Sequence, residues 1–126
     1  MTDDLYLRTK YLEAMKEEIV DSPLLDSIYY KYSDLPFYMF KEYIEARYGQ
    51  RMDMLVDKKY YQPIGASSLG YLPLNEVNAD QIVPSEIDDY YRHTEIQGYV
   101  HDMGAAMQNG VGGHAGLFSN ANDVAK

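Results

Sequence analysis

The sequence predicts a mainly α domain. Apolar residues recur near a 3.6-residue period in three segments of the first 60 positions, each segment is closed by cap or stop residues, and from Gly65 to Arg92 no periodicity replaces them. The first predicted helix spans 3–20, with Leu5, Leu12, Met15 and Ile19 on one face and Lys16, Glu17 and Glu18 towards water. Asp21-Ser22-Pro23 stops it, and a connector runs to Tyr32, briefly extended through Ile28-Tyr29-Tyr30. The second helix has the clearest signals. Ser33 or Asp34 is a suitable N-cap, and Pro36 fits the first turn, where its missing N–H costs nothing. Phe37, Phe40, Ile44 and Tyr48 mark its apolar face, and Gly49 is its stop. A third helix over 51–60 carries Met52, Leu55, Val56 and Tyr60.

Pro73, Asn75, Asn78 and Pro84 then punctuate a long irregular stretch. A connection of that length is usually functional or packs against something else. A short helix is expected around 101–108 with Asp102 near its start, then a flexible turn over Gly110-Val-Gly-Gly113. Ser119 or Asn120 reads as the cap of a further helix that has barely begun at Lys126, which predicts a truncated domain. The sequence contains no repeat and no low-complexity tract.

At 126 residues the chain is one domain, or a piece of one, long enough to bury a core. Twenty acidic against eleven basic residues give a net charge of −9, which disfavours nucleic acid and anionic membrane surfaces as partners. With no cysteine, disulfides and thiolate metal sites are excluded. No apolar run approaches the roughly 18 residues of a membrane span. The acidic start Met-Thr-Asp-Asp lacks the plan of a signal peptide. Fourteen tyrosines against three phenylalanines and no tryptophan suit either a carbohydrate- or peptide-binding face, or a core whose phenols reach a wet rim.

Two runs carry the chemistry. Tyr-Ser-Asp at 32–34 opens Tyr-Ser-Asp-Leu-Pro-Phe-Tyr-Met-Phe, and Tyr-Val-His-Asp-Met-Gly-Ala-Ala-Met at 99–107 leads into Gly-Val-Gly-Gly-His-Ala-Gly-Leu-Phe-Ser-Asn-Ala at 110–121. On cap preferences alone, residues 32–34 are a capping loop. In context the ordered set, with Gln62-Pro63-Ile64-Gly65-Ala66 between, resembles the serine β-lactamase and penicillin-binding-protein family over about residues 10–126. The flavour is that of class C β-lactamase-related hydrolases, and of Bacteroidetes-type proteins in which such a domain follows a glycoside-hydrolase family 3 domain. The resemblance implies the helical subdomain of that fold, without its antiparallel sheet, as one fragment over 1–126. It implies acylation of a serine from a Ser-x-x-Lys motif, then hydrolysis or transfer of the acyl group.

By the same resemblance Tyr32 is the proton-relaying phenol and Asp34 stands where the family's Tyr-x-Asn motif has Asn. A phenol with a pKa of about 10 is a poor base at neutral pH, and a nearby ammonium would lower it. Without one, Tyr32 is expected to titrate as an ordinary phenol. An ionised Asp34 only accepts hydrogen bonds, and would hold the motif's lysine charged. Neither Ser-x-x-Lys nor Lys-Thr-Gly is present; Ser27 has Lys31 four residues on. The chain alone is therefore expected to be inactive. His114-Ala115-Gly116 is similar to a His-Thr-Gly version of the third motif, but its place in the order makes it a glycine-rich turn.

His93, His101, Asp102 and His114 do not have helical metal-ligand spacing, so neither metal nor cofactor is expected. No serine sits in a Gly-x-Ser-x-Gly elbow, which argues against a self-contained triad. Expected partners are the remainder of the hydrolase domain and, in the whole protein, a peptidoglycan-type peptide, a β-lactam or an ester. Exposed apolar surface would also allow a homodimer. The resemblance places the whole protein in the periplasm or cell envelope. The alternatives are a non-catalytic, acidic, tyrosine-rich binding module and a scaffold without ligand.

Overall fold

The computed structural model describes residues 1–2 and 5–126. It is mainly α with little sheet. In order come α1 (Lys10–Val20), α2 (Leu35–Tyr48), α3 (Met52–Val56), a π turn (Asp57–Tyr61), β1 (Gly70–Tyr71) and two 3-10 turns (Pro73–Asn75, Ala79–Gln81). The strands β2 (Glu86–Asp88) and β3 (Thr94–Ile96), then α4 (Met103–Met107), β4 (Leu117–Phe118) and α5 (Ala121–Val124), complete the chain.

The first helix is shorter than its sequence predicts. It starts at Lys10, and positions 3 and 4 of the expected helix lie outside the described residues. Thr2 and Leu5 form a bridge instead. Tyr6 and Leu7 line a groove with Leu72, Leu74, Val100 and Phe118. Lys16 joins the first two helices through Glu42 at 2.9 Å, and Glu42 first, with Glu13, raises the lysine pKa. The connector over 21–32 has no regular structure, so the extended segment at 28–30 does not form. Helix α2 ends as its sequence requires, at Gly49 with φ 62°, a left-handed conformation that favours glycine.

The third helix gives way to a π turn after Val56, so the single helix expected over 51–60 is two pieces. Met52 and Leu55 are buried, whereas Tyr60 is exposed. The irregular stretch folds into short elements. Strands β2 and β3 pair antiparallel with Glu86 opposite Ile96, and β1 pairs with β4 with Gly70 opposite Phe118. Asp123 reinforces the second pairing by accepting from the Ser68 N–H at 2.7 Å and its hydroxyl at 2.6 Å.

The core is small. Met52, Leu55, Ala66, Ile96, Val100, Ala105, Ala106 and Val111 are its buried apolar residues, and among the described residues Ile96 is the largest side chain fully enclosed. On α2 the expected apolar face is reversed: Phe37, Phe40 and Tyr48 are exposed and Lys41 is buried. The Lys41 stem lies under Gly113, and its ammonium reaches Glu45 at 3.6 Å. The glycine-rich turn packs on this side of the helix, which leaves the aromatic side to solvent. The tyrosines correct the core-rim expectation too. Tyr6, Tyr29, Tyr30, Tyr32, Tyr43, Tyr60 and Tyr90 are all more than half exposed.

Candidate active site

Residues 32–34 lead into α2, whose first turn contains Pro36. Asp34 holds the N-cap position, but its side chain makes no cap bond. Ser33 supplies it, with Oγ accepting from the Leu35 N–H at 3.2 Å. The Asp34 carboxylate is thus left to act on the Tyr32 phenol. Asp34 first, with smaller contributions from desolvation, Tyr30 and Asp102, raises the Tyr32 pKa. The expected ordinary titration is corrected accordingly, because every charge acting on this phenol is negative. Tyr32 itself is 73% exposed.

Asp102 caps α4, as its sequence suggests, with Oδ1 accepting from the Ala105 N–H at 2.7 Å. The same oxygen meets His114 Nε2 at 2.8 Å. Burial pushes the Asp102 pKa up, but the Ala105 N–H and His114 outweigh it and hold the carboxyl below its usual range.

The turn that carries His114 is not a flexible one. Gly110, Val111 and Gly112 are buried. A Cβ on Gly113 would overlap the Phe37 carbonyl, and one on Gly112 would stand 2.8 Å from Ala105 Cβ. The absence of side chains lets backbone lie directly on α2 and α4. This close approach seats the His114 ring on Tyr38, with centroids 4.6 Å apart and planes 17° apart. Burial first, then Asp102 and Asp34, raises the Tyr38 pKa.

Asp34, Asp102 and His114 each offer a ligand atom within 4.8 Å of the others. The sequence singles out Tyr32 and Asp34, and these lie together. It misses the contribution of His114 and Tyr38. The available signal was the pair of short runs 12 residues apart, one with a capping Asp, the other with glycines around a histidine. The set His93, His101, Asp102 and His114 does not assemble: His101 is turned to Glu86 at 3.2 Å, and His93 is exposed.

Arg92 fixes the approach to Asp102. Its buried guanidinium donates to Asp88 at 2.7 Å, the Val100 carbonyl at 2.6 Å and the His101 carbonyl at 2.5 Å. Arg92 first, then the Tyr91 N–H, lowers the Asp88 pKa to about 2.

The chain has relatives by sequence among known proteins. The chain is 33% identical over 106 aligned positions to a protein of Escherichia coli K12 provisionally named D-alanyl-D-alanine carboxypeptidase. It is similar to a carboxypeptidase by sequence. It is also 31% identical over 106 positions to the N-acetylmuramyl-L-alanine amidase of Bacillus subtilis 168, and equally to the provisional D-alanyl-D-alanine carboxypeptidase of Salmonella agona. Each match covers 75% of this chain and 24% of the relative, so the chain spans about a quarter of the length of these relatives. Both names are those of hydrolases, and neither is that of a β-lactamase. No family model matches the chain. No solved structure matches it. Among the described residues, no helix is long and apolar enough to cross a membrane.

Proposed function

We propose that this chain is the helical part of a peptidoglycan-directed serine hydrolase of the cell envelope, and that Tyr32 and Asp34 belong to its active site. The supporting observation is the Tyr32–Asp34 pair: an exposed phenol on the loop ahead of α2, its pKa raised first by an Asp34 carboxylate that makes no cap bond to its own helix. The names of the relatives support the substrate class, a D-alanyl peptide or a muramyl-linked amide.

In this reading the nucleophilic serine and its lysine come from outside the chain, because no Ser-x-x-Lys occurs within it. The serine Oγ attacks the substrate carbonyl, the carbon–nitrogen bond breaks, and the leaving amine takes a proton. Water then cleaves the acyl-serine ester. A phenol with an ordinary pKa of about 10 is protonated at neutral pH and can give that proton. A lysine ammonium brought beside it would offset Asp34 and let the phenol work in both directions. The exposed side of α2, with Phe37, Phe40 and Tyr43, is the surface the rest of the domain covers.

The test joins this chain to its complementary remainder and measures amine release from a D-alanyl-D-alanine peptide. Tyr32→Phe is expected to lower turnover by roughly 10²–10⁴-fold. The 126-residue chain alone is expected to hydrolyse neither nitrocefin nor p-nitrophenyl acetate above its Tyr32→Phe control. Turnover by the isolated chain, or full activity of the assembled Tyr32→Phe variant, overturns the reading.

A further inference from the structure

The fold encloses His114 at a cost in hydrogen bonding. Its side chain is 5% exposed, and Nδ1 is buried without a hydrogen-bond partner. A position that only needed filling would suit an apolar ring better, because a buried polar atom left unpaired costs free energy. Three contacts nevertheless seat the imidazole here. The Gly113 backbone lies on the Phe37 carbonyl, Tyr38 stacks on the ring, and the Tyr71 hydroxyl donates to the Gly112 carbonyl at 3.3 Å. The compensating contact is made at Nε2.

Nε2 stands 2.8 Å from Asp102 Oδ1, which also accepts from the Ala105 N–H at 2.7 Å. An ionised carboxylate only accepts hydrogen bonds, so the nitrogen that faces it carries the hydrogen. The other neutral tautomer sets the Nε2 lone pair against a carboxylate oxygen and buries an Nδ1–H with no acceptor. A buried donor without a partner is rarer in folded proteins than an acceptor without one. The surroundings therefore select the Nε2–H form. Two donors converge on one oxygen of Asp102, one from its own helix and one from a turn 12 residues on, and together they fix the rotation of the carboxylate. An Asp34 oxygen lies within 4.8 Å of this group, and Asp102 is one of the charges that act on the Tyr32 phenol.

We propose that His114 is a positioning residue of the active site: held in its Nε2–H form, it donates to Asp102 and fixes that carboxylate beside Asp34 and the Tyr32 phenol. It acts through Asp102. Neither ring nitrogen is placed to exchange a proton with a substrate, since Nε2 is engaged and Nδ1 is enclosed. Two oriented carboxylates then flank the phenol instead of one, and they hold its proton until an ammonium from the rest of the domain offsets them. The other charged groups nearby are turned elsewhere, Lys41 to Glu45 at 3.6 Å and His101 to Glu86 at 3.2 Å. The use of this geometry in catalysis rests on the acyl-transfer reading; the hydrogen bond itself does not.

Nitrogen NMR of the unaltered 126-residue chain at neutral pH reads the tautomer directly. For His114, Nε2 is expected in the protonated range and Nδ1 in the lone-pair range. A proton on Nδ1, on both nitrogens, or averaged between them would each overturn the assignment. Carbon NMR of the Asp102 carboxyl then reads the contact. His114→Phe keeps a ring against Tyr38 but removes the donor, and it is expected to raise the Asp102 pKa. His114→Gln offers an amide N–H towards the same oxygen and is expected to bring the pKa back down. An Asp102 titration in His114→Phe that matches the unaltered chain overturns the positioning role. The tautomer measurement needs no substitution, so it decides the matter even where a variant does not fold.

In the chain joined to its complementary remainder, His114→Phe is expected to lower kcat on a D-alanyl-D-alanine peptide by up to about 10²-fold at unchanged KM. His114→Gln is expected to restore most of that loss. An undiminished kcat in His114→Phe overturns the positioning role. The acyl-transfer reading stands or falls separately, on the assembled Tyr32→Phe variant, so the failure of one is distinguishable from the failure of the other.

Discussion

Tyr38 lies flat against His114, one ring offered by α2 and the other by the glycine-rich turn, with centroids 4.6 Å apart. The stack is the hinge pin of the candidate site, because it decides where His114 Nε2 meets Asp102. Beneath it Gly104 leaves room for the Tyr38 hydroxyl, which a Cβ would overlap. Gly104→Ala is therefore expected to push Tyr38 off the imidazole. The loss is about 0.5–1.5 kcal/mol for the ring pair, with additional strain from the crowded helix. Urea denaturation measures the stability, and loss of the ring-current shift on the His114 protons reports the unstacking.

Arg92 is expected to matter well beyond its own position. Arg92→Leu leaves the Val100 and His101 carbonyls without their donor, at about 1–3 kcal/mol for each buried group. The segment that leads to Asp102 should loosen. Faster amide exchange at Asp102 and Ala105, together with a lower urea midpoint, checks this. An exchange pattern like that of the unaltered chain would mean that the Arg92 clamp does not position Asp102.

Acid should unfold the chain in a defined window. The Asp88 pKa is lowered to about 2 by Arg92 first, and the Asp123 pKa to about 2 by Lys126 first, then Ser68. Both folded values lie below the unfolded value of about 3.9, so their stabilisation is fully present above that value. It is lost as pH falls from about 4 through 2. Thermal unfolding against pH is expected to be flat, as far as these two groups are concerned, above about pH 5 and to fall through that window. Asp123→Asn should lower the plateau and flatten the acid limb.

The Tyr32 phenol should hold its proton to higher pH than a free tyrosine, and Asp34→Asn should bring it back towards the ordinary value. Carbon NMR of the ring resolves this residue from the other thirteen tyrosines. A fall in pKa below the ordinary value in the unaltered chain would require a cation beside Tyr32.

Local signals in the sequence are carried through well. Pro36, Gly49, Asp102 and Asn120 each mark the helix end that the structure has, since cap chemistry is decided within a few residues. Periodicity succeeds less often. The spacing of Phe37, Phe40, Ile44 and Tyr48 describes an apolar stripe correctly but not which side of α2 is buried, because the glycine-rich turn comes from more than 60 residues away. Tyr32 and Asp34 are legible as a pair because they stand two residues apart in one motif. The approach of Asp34 to Asp102 and His114 is not, since it depends on two backbone approaches that glycines permit but do not announce.

Gly113 has a consequence for how this protein can vary. Its backbone rests on the Phe37 carbonyl, and any Cβ there would overlap main chain, which cannot rotate aside. Bulky neighbours such as Phe40 or Tyr43 face outward, so exchanging them disturbs little packing within these 126 residues. Substitution will be least forgiving where there is no side chain at all. In a random mutant library, selection for folded protein should leave the aromatic surface diverse and this one position monotonous.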